Sequence, residues 1–316
     1  LTFLFSLQWT VKSYKLGFTM TTLTNGYEHH FIQTNGITLH VVIAGPMAGQ
    51  PIILLHGFPE FWFGWRKQIP ALAEAGFRVI VPDQRGYNLS DKPHPVGAYH
   101  LDELAWDVTG LMDALGYQDA YLAGHDWGGA VGWWLALHFP QRLRKLAVLN
   151  APFPTVVVQA IRAGNREQLR KSGYVLAFQL PWLAERGFRQ QNVGEGRNIL
   201  LRIGHKDTFT AAELMVYEYA WEKPGVVTAM LNWYRANLRA FFTTPQPSPG
   251  SIQTPTLLLW GEQDRALGKE LAPLSVELCR DGRLVFFPHA THWLQHDEVD
   301  AVNRHLVEFF STAVAL

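Results

Sequence analysis

Gly124-His125-Asp126-Trp127-Gly128-Gly129 follows the apolar run Ala120–Ala123 and opens the segment that carries Val131 to Leu137. The order predicts a buried strand, a sharp reversal and a helix, with residue 126 thrust outward at the reversal. Glycines at 124 and 128 suit such a turn, because a side chain at either would collide with the neighbouring strand or helix. An aspartate at a helix start is ordinarily an N-cap. The glycine frame after a buried strand makes Asp126 a candidate nucleophile instead.

Outward from this turn, short apolar runs alternate with longer helical patterns, which implies a mainly parallel sheet flanked by helices. Strands are expected at Leu39–Ala44, Ile52–Leu55, Val79–Val81, Ala120–Ala123 and Leu146–Leu149, and again at Thr256–Trp260 and Leu284–Phe287. Several are continuously apolar, as parallel strands buried on both faces should be. Helices are expected at Trp65–Ala75, Asp102–Leu115, Gly128–Phe139 and Val299–Phe310. From Ala151 to the proline-rich loop Thr244–Ser251 the pattern is helical without strand signals. The chain therefore divides into a leader at residues 1–20, a sheet domain at 21–150 and 251–316, and a helical cap at 151–250 placed over the strands' carboxyl ends, where it would enclose a pocket.

Composition narrows the class. Of 316 residues 48% are hydrophobic and 17% charged, with 27 Lys+Arg against 27 Asp+Glu, so no basic field exists to hold nucleic acid. A single cysteine, Cys279, excludes an internal disulfide and fits a reducing cytoplasm. No apolar run approaches the roughly 18 residues of a membrane span, and a soluble protein is expected. In the leader the charges Lys12 and Lys15 follow the apolar Phe3, Leu4, Phe5 and Leu7, an order unlike that of a signal peptide.

A nucleophile at a turn needs an oxyanion site, a base and an acid to orient the base. The run Ile52–Leu55 leads into His56-Gly57-Phe58-Pro59, whose Phe58 amide, with that of Trp127, would cradle an oxyanion. After Thr256–Trp260 comes Gly261-Glu262-Gln263-Asp264, with Asp264 the candidate acid and Glu262 the runner-up; Asn150 cannot be the anionic partner. For the base, His292 competes with His289 and His296 and is favoured.

From about Tyr27 to Phe310 the sequence resembles the α/β-hydrolase family and, within it, the soluble epoxide hydrolases. The resemblance rests on His56-Gly57-Phe58-Pro59-Glu60, Trp65-Arg66, Pro82-Asp83, Arg85-Gly86-Tyr87, Ser90-Asp91-Lys92-Pro93 and the motif around Asp126. It implies an α/β-hydrolase fold with a mostly parallel central sheet and an inserted helical cap. It implies Asp126 as nucleophile, Asp264 as orienting acid, His292 as base, and two cap tyrosines, Tyr174 and Tyr234, that hydrogen-bond the epoxide oxygen.

These residue types suit the reaction. An aspartate, with a reference pKa of about 3.9, is ionised near neutrality and attacks sp³ carbon without a base to activate it. Phenols, with a reference pKa of about 10, stay protonated and donate to the developing alkoxide. The reaction expected is epoxide plus water to a vicinal diol, without metal or organic cofactor. The 12 Trp and 19 Phe permit an apolar or aromatic substrate. Two rival readings are a haloalkane or haloacid dehalogenase, for which Trp127 would offer an indole donor, and a non-catalytic small-molecule-binding protein on the same fold.

Overall fold

The computed structural model describes residues 26–189 and 194–312; the expected leader at 1–20 lies outside the described residues. Eight strands form one sheet: β1 (Glu28–Thr34), β2 (Ile37–Ala44), β3 (Pro51–Leu55), β4 (Arg78–Pro82), β5 (Ala120–His125), β6 (Leu143–Leu149), β7 (Thr256–Gly261) and β8 (Gly282–Phe287). Their spatial order is β1-β2-β4-β3-β5-β6-β7-β8, antiparallel from β1 to β4 and parallel from there to β8. All seven expected strands are present, each longer by one to three residues. The strand β1 was not expected: Glu-His-His-Phe-Ile-Gln-Thr is polar and largely open to solvent, held at the sheet edge by pairing with β2.

Between β3 and β6 the sheet domain carries α1 (Ile69–Glu74), α2 (Leu101–Ala114) and α3 (Trp127–His138). The helix expected over Trp65–Ala75 is shorter: a 3-10 turn at Trp62–Trp65 ends before α1, which starts beside Pro70. Proline is tolerated only in a helix's first turn, because it lacks an N–H to donate and its ring clashes with the preceding turn.

Among the described residues seven helices separate β6 from β7: α4 (Pro154–Arg162), α5 (Arg166–Lys171), α6 (Gly173–Phe178), α7 (Leu183–Arg189), α8 (Gly194–Ile203), α9 (Ala211–Trp221) and α10 (Val226–Thr243). After β7 follow α11 (Leu271–Val276), α12 (Leu294–Asp297) and α13 (Val299–Ser311). Hydrogen bonds tie the inserted helices to the sheet domain: Trp221 Nε1 donates to Pro59 O at 2.6 Å, Trp233 Nε1 to Arg85 O at 3.0 Å, and Asn237 Nδ2 to Tyr99 O at 2.8 Å. Among the described residues no helix is long and apolar enough to cross a membrane.

The crossing of β5 and α3 leaves no room for side chains. A Cβ on Gly124 would strike the Gly128 backbone, and one on Gly128 would strike the Leu55 and His56 carbonyls. Overpacking of this kind costs about 1–3 kcal/mol or more where the obstacle is backbone. Gly128→Ala is therefore expected to lose at least that much stability, read as the shift in the urea unfolding midpoint; an unchanged midpoint would show the crossing to be slack.

Candidate active site

Parallel pairing brings the carboxyl ends of β3, β5, β6, β7 and β8 into one row, and each end carries a polar group or amide of the site. Phe58 follows β3, Asp126 follows β5, Asn150 follows β6, Asp264 follows β7 and His292 follows β8. Asp126 has φ 50° and ψ −118°, an unfavourable backbone that costs about 1–3 kcal/mol. Although it stands at the N-cap position of α3, its side chain makes no capping hydrogen bond. Oδ1 instead accepts from the Phe58 N–H at 2.8 Å, and Oδ2 lies 3.7 Å from His292 Nε2. Trp127, as first residue of α3, has an N–H without a partner inside its helix. Of the two expected oxyanion donors, the Phe58 amide thus meets the Asp126 carboxylate directly, and Trp127 is its neighbour in the chain.

His292 Nδ1 donates to Asp264 Oδ2 at 2.7 Å, and both residues are nearly inaccessible, at 2% and 3% exposure. Asp264 Oδ1 accepts from the amides of Ala266 (2.7 Å) and Leu267 (2.9 Å), while Asn150 Nδ2 donates to Oδ2 at 2.8 Å. Burial disfavours the Asp264 charge, but His292 and these donors outweigh it and hold the carboxyl below its ordinary range. For His292, burial likewise opposes the charge; the carboxylates of Asp264, then Asp126 and Glu60, win and raise the imidazole to about 9. Of the competing residues, Glu262 lies beside Lys269 in an ion pair. The His289 carbonyl accepts from His205 Nε2, and His296 belongs to a different cluster.

That cluster surrounds Glu60, which is buried behind His292. Glu60 Oε1 accepts from Tyr217 Oη (2.6 Å) and His296 Nε2 (2.8 Å), and Oε2 accepts from Gln295 Nε2 (2.9 Å). Burial opposes its ionisation, yet the histidines and donors around it hold the carboxyl well below the usual range. Burial pushes His296 below its ordinary value; its Nε2 faces Glu60 and its Nδ1 accepts from Arg66 at 3.3 Å. His125 Nε2 donates to the His292 carbonyl at 2.8 Å, while its Nδ1 faces Glu60 Oε2 at 3.4 Å. His125 and Asn150 thus touch the site, and Glu60 lies one residue further off; the sequence marks His125 and Glu60 only as motif neighbours and considers Asn150 only as an anionic partner, which it cannot be.

A cavity of about 230 Å³ opens over Asp126 between the sheet domain and α4, α6 and α10. Apart from Asp126, Ser172, Tyr174 and Tyr234, its walls are apolar, including Trp127, Val158, Ile161, Leu238 and Phe241. Tyr174 and Tyr234 meet edge to face with ring centroids 6.0 Å apart, and Tyr234 also stands edge-on to Phe58 and Trp127. Desolvation, with the Asp126 charge adding to it, raises both phenols above their ordinary value, so both remain proton donors.

Residues 50–299 match a family model described as alpha/beta hydrolase fold. The chain belongs to the α/β-hydrolase family. This α/β-hydrolase is 42% identical over 285 residues to the AB hydrolase superfamily protein YfhM of Bacillus subtilis, across 90% of this chain and 98% of that one. It is 36% identical to human epoxide hydrolase 4, across 86% and 75% of the two chains. Among solved structures, the epoxide hydrolase of Bacillus megaterium in complex with an inhibitor superimposes with a TM-score of 0.82 at 29% identity, covering 90% of this chain and all of that one (100%).

Because Asp126 helps to raise His292, neutralising residue 126 must lower the imidazole. In Asp126→Asn the His292 midpoint, followed by NMR of the ring nitrogens, is expected to fall from about 9 by roughly one pH unit. The His292 ion pairs contribute fully below the ordinary histidine value of about 6.5 and are lost as pH rises through about 9. Thermal unfolding of His292→Gln should show less loss than wild type across that window; parallel curves would contradict the assignment.

Proposed function

We propose that the protein is an epoxide hydrolase that converts an epoxide and water to a vicinal diol through an ester on Asp126. One observation carries the reading: a carboxylate at a strained turn shares an apolar cavity with two protonated tyrosines. The relatives named epoxide hydrolases support it. An Asp126 oxygen attacks a ring carbon as the C–O bond breaks, and Tyr174 and Tyr234 donate to the departing oxygen, one of them giving up its proton. The ester no longer carries the Asp126 charge, so one of the carboxylates that raise His292 is removed. The base becomes neutral more readily at the step that needs it. His292, oriented by Asp264, then takes a proton from water that attacks the ester carbonyl, and the Phe58 and Trp127 amides hold the oxyanion. As the acyl–oxygen bond breaks, His292 returns its proton to the departing alkoxide oxygen, the proton left on the new Asp126 carboxyl restores the tyrosine, the diol leaves, and Asp126 is again a carboxylate.

The apolar walls select an apolar or aromatic epoxide. Residues 151–250 act as the cap over a sheet domain made of 21–150 and 251–316. The single thiol, Cys279, suits a reducing cytoplasm. A halide-releasing reading is less well served: the Phe58 side chain packs as an aromatic against Phe178, Phe188 and Tyr234, and offers no donor to a halide beside Trp127.

Mixing His292→Gln with an aryl epoxide should trap the ester, visible as a mass increase equal to the epoxide and mapping to the peptide that contains Asp126. Wild type should release diol and leave alkyl halides unreacted. Absence of both adduct and diol across a panel of epoxides would sink the reading. Tyr174→Phe and Tyr234→Phe should each slow ester formation by about 10²-fold, as loss of one oxyanion donor does elsewhere.

A further inference from the structure

We propose that helix α5 of the cap is a positioning element for the acid: Gln168 and Lys171 hold the 264–268 loop in the shape that presents Asp264 to His292. This rests on the reading of Asp264 as the orienting acid. The grip falls on backbone groups of this loop. Lys171 Nζ donates to the Asp264 carbonyl at 2.9 Å. Gln168, fully buried, accepts from the Gly268 N–H through Oε1 at 2.8 Å and donates from Nε2 to the Ala266 carbonyl at 3.4 Å. At the start of the helix Asn165 caps it, accepting from Gln168 N at 2.9 Å, and its Nδ2 donates to Glu270 Oε1 at 2.7 Å.

The gripped peptides are those that matter to the acid. The Ala266 carbonyl and Leu267 N–H belong to one peptide group, and that N–H donates to Asp264 Oδ1. A donor on the carbonyl side polarises the peptide and strengthens the bond it makes on the other side. The Asp264 carbonyl held by Lys171 belongs to the same residue whose Oδ2 receives His292. Released from α5, the loop could turn the Ala266 and Leu267 amides away, and Oδ1 would be left buried without its donors, a costly state. Helix α5 also leads through Ser172, which accepts from Gln168 at 2.9 Å, into α6 and Tyr174.

The test uses the full chain with Gln168→Met, Lys171→Met and the conservative Lys171→Arg. The first readout needs no substrate: the downfield proton resonance of His292 Nδ1–H bonded to Asp264. It should weaken or shift upfield in both Met variants and be kept in Lys171→Arg. The second uses styrene oxide in single turnover, resolving ester formation from ester hydrolysis. In the Met variants hydrolysis should slow by about 10- to 100-fold, as small misplacements of catalytic groups do, with formation within about twofold of wild type. A resonance unchanged in the Met variants, or formation and hydrolysis falling together, overturns the proposal. If Gln168→Met fails to fold, Lys171→Met, whose side chain lies nearer the surface, decides alone. Should wild type give neither ester nor diol from any epoxide of the panel while the resonance still responds, the epoxide reading falls and the grip on Asp264 stands.

Discussion

The reversal of the chain between β5 and α3 governs the rest of the molecule. At Asp126 the backbone takes a positive φ, and on either side Gly124 and Gly128 let the strand, the helix and the end of β3 approach within backbone contact. The strain is sustained because β5 is central, paired on both edges and continuous with a core of buried aliphatic side chains. That rigidity suits the nucleophile role proposed for Asp126, which has no capping bond: the carboxylate is aimed by its surroundings, and the Phe58 amide one strand away meets it at hydrogen-bond distance.

Charge is organised around this point in two buried layers. In the first, Asp126 and Asp264 face His292 from opposite sides and favour its cationic form. In the second, Glu60 lies behind His292 and is satisfied by Tyr217 of α9 and Gln295 and His296 of α12, so that its charge adds to the field. A buried carboxylate left short of donors would neutralise instead.

Much of this was readable before the fold was seen, and the reason is chemical. Buried parallel strands are continuously apolar, and a glycine-framed turn after such a strand has few other uses, so the strands from β2 onward and the turn at Asp126 stand out. Of the two acids after β7, Asp264 is the one bonded to His292, while Glu262 pairs with Lys269. What stayed hidden depends on pairing or on distant partners. The strand β1 exists because β2 offers it an edge, not because its residues prefer the interior. Glu60 acquires its setting from Tyr217, Gln295 and His296, more than 150 positions away in the chain. Asn150, dismissed as an anion, contributes by donating to the acid.

The seven inserted helices leave the sheet at the end of β6 and return at β7, and these two strands are direct neighbours, with Asn150 N donating to Leu259 O at 3.0 Å. The two attachment points therefore lie side by side, and an insertion of different length or shape would enter and exit without altering the register of any strand. The architecture is modular in the literal sense: the walls that choose a molecule can be exchanged as a cassette, while the carboxyl-edge groups of β3, β5 and β8 stay in place. The helix α5 qualifies that freedom, because any replacement must bring its own hold on the loop after β7.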